Sequence, residues 1–471
     1  MSAKRALSVP DILLYVFEQL QPQAKPMSDL HPAAGLHIDP TANGFAAAAL
    51  ARSARVCKDF QEPALSILWR DIPSFVVLLG LLPRVKQAIW EHTGRSVYAN
   101  YGIEPNEVER GSWQFTPINP EIYRTLFQHN NSQPILPCLE ELEWLQTLTI
   151  ASLHTVLTPS LRRLAVYLQW ETFGLDSSAR RRVVVDVLSA SPRLEHLALL
   201  GAWNFNFLGV TSESFSFETG TLQSLDLSGC GELSSQVILQ LTDSSLPALT
   251  ALRICVLDHL EAFVQPPAFR NLNTLSMTGY AEDLASFLAI ANLPVLSQAH
   301  LHLNDRGDTG TAFSTLSGAL SSAILPNLRQ LAVRSTMQPG HMMRTAVFPD
   351  RSLLAVIRPI LSLTELRGVS LDFGTFDAWD DDIRQITQSW RKLRTLELCS
   401  CATGAWSPNQ FSLHALVHVA RNCPDLQSLK LRPLRHDDDV LQPAIGDTAA
   451  RPHGLQALHT YRWQVRPTKE D

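Results

Sequence analysis

The sequence predicts an α+β chain in which a small N-terminal helical unit precedes an α/β solenoid, its strands stacked into a curved parallel sheet with helices outside. Three observations lead to this reading. Two short amphipathic segments stand near the start, an apolar unit of the form Leu-x-x-Leu-x-apolar recurs beyond about residue 135, and helix-like segments lie between the recurrences.

The first amphipathic segment is SVPDILLYVFEQL at 8–20. Ile12, Leu13, Val16, Phe17 and Leu20 fall at helical spacing, and Pro10 and Asp11 stand where a helix start favours a fixed φ and negative charge. In the second, ARSARVCKDFQEPALSILWRDI at 51–72, Leu50, Ala54, Cys57 and Phe60 are expected along one face, and Ala64, Leu65, Leu68 and Trp69 form a further apolar cluster after Pro63. Neither piece is large enough to bury its apolar side alone.

In this order the two segments resemble the halves of an F-box. The family's opening falls on Pro10, Asp11, Ile12 and Leu13, its helix pair on Val16 and Phe17, its Val-Cys-Lys on Val56, Cys57 and Lys58, and its Leu-Trp on Leu68 and Trp69. Two departures stand out: one residue fewer between Pro10 and the apolar run, and a Pro-rich insertion over 21–44. The insertion reads as a surface loop, and loop closure costs too little to keep the halves apart. The resemblance covers about residues 7–72, within a domain at 1–72, and implies binding to a Skp-type adaptor, and through it a cullin. It assigns that contact to Pro10, Ile12, Leu13, Val16, Phe17, Leu20, Val56, Cys57, Phe60, Leu65 and Trp69.

Residues 73–135 read as a helical joint, with FVVLLGLLP continuing the apolar character and INPEIYRTLFQH forming a helix; its role would be to hold the first domain rigidly against the repeats. From 136 to 461 the apolar unit starts at Leu139, Leu161, Leu194, Leu222, Leu249, Leu272, Leu296, Leu328, Leu366, Leu393, Leu426 and Leu455, at intervals of 22 to 38 residues that average about 29. Leu366 and Leu455 are the poorest matches. This spacing is similar to that of leucine-rich repeats, each a strand plus a helix. Helices are expected in SSQVILQLTDSS, AEDLASFLAIAN, FSTLSGALSSAI, DDDIRQITQSW and FSLHALVHVARN. Cys230, Asn304 and Cys401 follow their strands where the family places Asn or Cys, as buried side chains that satisfy backbone groups at a corner. Residues 462–471 form a tail.

Composition favours contact over chemistry. The chain has 471 residues, 45% hydrophobic, a net charge of −6, a pI near 6.2 and a mean hydropathy of +0.00. Nothing in this balance calls for nucleic acid or an anionic membrane, both of which need a basic stripe, and Arg180–Arg182 reads as the solvated first turn of a helix. No apolar run reaches the length of a spanning helix, and Pro10, Asp11 and Glu18 interrupt any signal-like core. Seven Cys without a CxxC pair fit a reducing compartment, so the expected location is cytoplasmic or nuclear. HExxH, GxSxG, P-loop and GxGxxG patterns are missing from the sequence. Asp380–Asp382 read as helix-capping residues, His436–Asp439 as solvated loop charge, and the Cys399/Cys401 pair lacks the second ligand pair a metal needs. No catalytic residue, metal or cofactor is assigned.

By resemblance, the expected function is that of a substrate-recognition subunit of an SCF-type cullin-RING ubiquitin ligase, catalysing nothing itself. Two other readings share the same residues: an F-box protein acting outside degradation, and a repeat scaffold with a helical cap. Strand positions alternating with the buried leucines would meet the target protein: Glu143, Asp226, Arg253, Ser276, His300, Glu397 and Lys430. Arg253, His300, His302 and Arg334 contain the beginnings of the Arg cluster a phosphate-reading surface requires.

Overall fold

The computed structural model describes residues 10–18, 48–68, 120–131, 133–134, 136–146, 150–168, 186–200, 220–229, 233, 238, 241–242, 245–256, 267–304, 309–323, 325–336, 353–372, 379–399, 411–431 and 454–460. The chain divides into two compact units, Met1–Ile122 and Tyr123–Asp471. Most of the joint (73–119), the Pro-rich insertion, Arg180–Arg182, Cys230, Cys401, His436–Asp439 and the tail lie outside the described residues.

In the first unit, α1 (Pro10–Glu18) and α2 (Lys58–Leu68) pack together with a short helical stretch at 48–53. The core they make is small. Leu13, Phe17, Leu50 and Ala64 are buried, Leu14, Ala54 and Phe60 pack partly against them, and Phe17 meets Phe60 edge to face with centroids 5.6 Å apart. The two segments separated by the insertion therefore bury their apolar sides on each other. One expectation fails: Cys57 does not continue the face of Leu50 and Ala54. A turn at 54–56 interrupts the helix, so Val56 and Cys57 lie outside both helical segments and are exposed. Pro63 sits within α2 without ending it.

The second unit is one twelve-stranded sheet among the described residues, in sequence order from β1 to β12. Its strands are β1 (Glu141–Gln146), β2 (Arg163–Leu168), β3 (His196–Leu200), β4 (Ser224–Asp226), β5 (Ala251–Val256), β6 (Thr274–Gly279), β7 (Gln298–Asn304), β8 (Gln330–Thr336), β9 (Gly368–Asp372), β10 (Thr395–Cys399), β11 (Ser428–Leu431) and β12 (Ala457–Thr460). Every neighbouring pair is parallel. Each of the repeat-start leucines stands two residues before its strand, Leu366 and Leu455 included. The unit is solenoid-like, with one parallel strand for each repeat of the leucine unit.

Two local devices fix this register. Before most strands the chain makes a tight turn, as in Leu161 N–H to Thr158 C=O, Leu249 to Leu246, Leu296 to Leu293, Leu328 to Leu325 and Leu426 to Cys423, at 3.1 to 3.3 Å. Pro159, Pro247, Pro294, Pro326 and Pro424 occupy the second position of these turns, where a fixed φ near −65° is already correct. Then one carbonyl per repeat accepts two amides from the next: Arg162 and Arg163 donate to Glu140 at 2.7 and 2.9 Å, and Arg329 and Gln330 to Ser297 at 2.8 and 2.9 Å. Side chains strengthen the turn stack, with Asn271 donating to Pro247 C=O and Asn327 to Pro294 C=O, each at 2.8 Å.

Behind the sheet lie α4 (Ala281–Ile290), α5 (Thr309–Ser322), α6 (Leu353–Ile357), α7 (Asp380–Ser389) and α8 (Leu413–Asn422), after α3 (Pro120–His129) nearer the N-terminus. Four of these helices (α4, α5, α7 and α8) and α3 coincide with segments expected from the sequence; the helix expected at 234–245 is described at too few positions to compare. Short 3₁₀ segments at Ile150–Thr155 and Arg358–Ser362, and α6 itself, were not expected. Asp380–Asp382 do cap α7: the Asp382 carboxylate accepts the Trp379 N–H at 2.9 Å. Asp380 reaches further, accepting the N–H of Ser412 at 2.8 Å together with its hydroxyl, so one repeat's helix start anchors the next. Asn304 ends β7 half-buried rather than fully buried.

Cys423, at the turn before β11, is buried with Sγ placed toward Thr387 C=O at 3.7 Å and Trp390 C=O at 3.5 Å, and burial pushes its thiol pKa up to about 12. Thiolate is the reactive form. In the native protein at pH 8, Cys57 and Cys138 should therefore react with a maleimide within minutes while Cys255 and Cys423 stay protected until denaturant is added. Mass mapping of the labelled peptides checks this.

Candidate binding surfaces

Strand alternation sorts the sheet into two faces. In most repeats the residues three and five positions after the start point into the core, for example Leu225 and Leu227, Leu396 and Leu398, Leu429 and Leu431, all buried. The position between them points the other way. Because every strand starts two residues after its leucine, these intermediate positions align across the whole sheet, as Glu143, Ala165, Ala198, Asp226, Arg253, Ser276, His300, Ala332, Ser370, Glu397, Lys430 and His459. Seven residues expected to meet a target thus occupy one row. His302 and Arg334 are neighbours in the next row, two residues further along their strands.

Charges along the row are largely paired. Arg253 donates through Nη1 to Asp226 at 3.3 Å and through Nε to Ser276 Oγ at 3.2 Å, while Asp226 also accepts Ser228 N–H and Oγ–H at 2.9 and 2.6 Å. Further along, Glu397 accepts the Ser370 hydroxyl at 2.7 Å and pairs with Lys430. Between these two networks sits His300, flanked by the small side chains of Ser276 and Ala332. Burial first, and then the Arg253 and Arg334 guanidiniums, hold its imidazole below the usual histidine range. Glu143 lies exposed on β1. The lateral pairs were not read from the sequence, although the signal was present: Asp226 and Arg253, and likewise Glu397 and Lys430, stand four residues after their repeat starts.

On the helical unit, the residues assigned to adaptor binding separate into groups. Leu13 and Phe17 are core, Phe60 and Leu65 are half-buried, and Val16, Val56 and Cys57 are exposed. Pro10 and Ile12 lie on α1 with side chains outside the described set; Leu20 and Trp69 are wholly outside it. Leu13 therefore acts as a structural residue of the unit. Tyr15, not singled out from the sequence, is 67% exposed beside Val16 at 45%, and Val56 is 69% exposed. Large apolar side chains at such exposure are informative when several share a small unit. Among the described residues, no His, Cys, Asp and Glu gather in the threes a metal ion requires, and no helix is long and apolar enough to cross a membrane.

No family model and no curated protein matches the chain. Among solved structures, the leucine-rich repeat-containing protein LegL7 from Legionella pneumophila is similar over 65% of this chain and 94% of its own, at 16% identity and a TM-score of 0.33. A protein from Bacteroides fragilis is similar over 58% of this chain and 66% of its own, at 15% identity and a TM-score of 0.30.

Proposed function

We propose that this chain is the target-binding subunit of an SCF-type cullin-RING ubiquitin ligase. Its helical unit would bind a Skp-type adaptor, and its sheet face would hold a protein target. The observation that carries the reading is the packing of the two F-box-like segments: they bury Leu13, Phe17, Leu50 and Ala64 on each other and still leave Tyr15, Val16 and Val56 to solvent. A unit that has already closed its core retains exposed apolar side chains where a partner covers them. The chain itself would catalyse nothing, and would act by holding acceptor lysines near a charged conjugating enzyme in the cytoplasm or nucleus.

Co-purification of the full chain with a recombinant Skp-type adaptor tests the first half, and recovery of the cullin in the same sample tests the second. Adaptor without cullin supports an F-box protein working outside degradation; neither partner leaves a repeat scaffold with a helical cap. Deleting residues 22–40 should change adaptor affinity by less than tenfold, because a Pro-rich surface loop contributes little packing and its closure costs little; tenfold corresponds to about 1.4 kcal/mol. A larger loss by calorimetry would place the insertion in the contact.

A further inference from the structure

We propose that Arg329, Arg367 and Arg394 form a basic ladder on the rim of the sheet, at the N-terminal ends of β8, β9 and β10, that binds an acidic α-helix of a partner protein. Each arginine stands one residue after its repeat leucine and one before its strand, three residues short of the row that makes the target face. The site is therefore separate from that face and does not depend on its reading. The backbone fixes the spacing of the ladder. The Arg329 carbonyl accepts the amides of Arg367 and Gly368 at 2.7 and 2.9 Å, and the Arg367 carbonyl those of Arg394 and Thr395 at 2.6 and 3.0 Å. The three are thus held one strand apart, at about 4.8 Å. Arg329 and Arg394 are exposed and Arg367 is half-buried, and among the described residues none of the three guanidiniums makes a hydrogen bond or ion pair.

Elsewhere along this rim charge is compensated. At the same repeat position Arg162 pairs with Glu195 at 3.6 Å, and Ser297 and Gln427, on either side of the ladder, are neutral. The ladder itself has a surplus. Arg391 and Lys392 add positive charge in the turn before β10, and the acids in these turns are Glu365, already held by Lys392 at 2.6 and 2.7 Å, and Asp425, before β11. The Glu365 carboxyl is held below its usual range first by Lys392 and then by Arg367 and Arg329, so the field of the ladder reaches its surroundings. Like charges on neighbouring strands repel, and an anionic partner removes that repulsion. Spacing selects a helix as the occupant. Side chains at i, i+4 and i+7 on one helical face rise by about 6.0 and 4.5 Å, close to one carboxylate per strand, with the helix axis running across the strands. Same-face residues of an extended peptide lie about 6.7 Å apart and fall out of step within three strands. A nucleic acid needs a longer stripe than three strands bounded by neutral residues, on a chain of net charge −6.

The test is fluorescence anisotropy with the full chain in about 50 mM salt, where exposed charges are weakly screened. The probe is a labelled alanine–glutamine helix of about 20 residues with glutamates at i, i+4 and i+7. Its control carries the same glutamates at i, i+5 and i+10, which a turn of about 100° per residue spreads around the helix. The facial peptide should bind at least about fivefold more tightly than the control. Arg329→Gln, Arg367→Gln and Arg394→Gln should each weaken it about threefold and all three together about thirtyfold, the scale of solvent-exposed ion pairs, while Arg162→Gln leaves it unchanged. Thermal melts of these variants should match the wild type, because the replaced guanidiniums of the ladder hold nothing in the free chain. No binding of the facial peptide, equal binding of the two peptides, or binding that survives the triple replacement would overturn the proposal. So would an oligothymidylate strand binding as tightly as the facial peptide, which would make the rim a nucleic-acid contact. The adaptor takes no part in this measurement, so a failed adaptor assay and a failed titration remain distinguishable.

Discussion

Leu225→Asp and Leu396→Asp are expected to unfold the repeat region well beyond the strand that carries them. Both leucines are 1% exposed, so each change forfeits roughly 1.5 to 3 kcal/mol of burial and adds an unpaired buried charge, for a total above about 4 kcal/mol. The damage spreads because each repeat supplies one wall of its neighbour's core and the carbonyl that receives the neighbour's two amides. Asp226→Asn and Glu397→Gln, one residue away on the opposite face, remove half-exposed pairs with Arg253 and Lys430 and should cost less than about 1 kcal/mol. Denaturant melts of the four variants make the comparison. Equal destabilisation of the two sets would contradict the assignment of faces.

At the other end of the chain, Val16→Asp and Val56→Asp should each reduce affinity for a Skp-type adaptor by a hundredfold or more, about 2.7 kcal/mol, with the circular dichroism and melting of the chain unchanged. The exposure of these residues separates contact from folding: a charge at either position is solvated in the free protein and would be desolvated only in a complex. Leu13→Ala would be a poorer probe, since it opens a cavity in the core of the helical unit. Adaptor binding at wild-type strength by both valine variants would exclude this surface from the contact and weaken the ligase reading with it.

How much of this was legible in advance depended on which interactions are local. All the repeat starts could be read because the signal combines a turn, an extended stretch and a buried leucine within six residues. Leu366 read poorly because Val369 replaces the second leucine, yet Val369 and Leu371 are as buried as their counterparts. Leu455 read poorly for a different reason: it stands just before the last described strand, Leu458 lies within it, and they are 36% and 43% exposed, so burial constrains their neighbourhood less. The helix α6 escaped notice because it is five residues long and runs into a 3₁₀ segment containing Pro359, too short for a periodicity to register. Cys57 was misplaced because an amphipathic pattern continued across a turn that it does not encode. On the candidate target face the individual residues were identified, but their bonds depend on register between strands 27 or 33 residues apart, and only aligning the starts reveals those partners.

The carbonyl that receives two amides from the next repeat carries an evolutionary consequence. Repeat starts are 22 to 38 residues apart, yet the row running from Glu143 to His459 advances by one strand per repeat regardless of that length. Residues gained or lost behind the sheet are silent on its face, whereas one residue inserted within a strand would turn core side chains outward and face side chains inward. The two sides of the molecule are therefore free to diverge by different kinds of mutation, the back by changes in length and the face by point substitutions at one address per repeat.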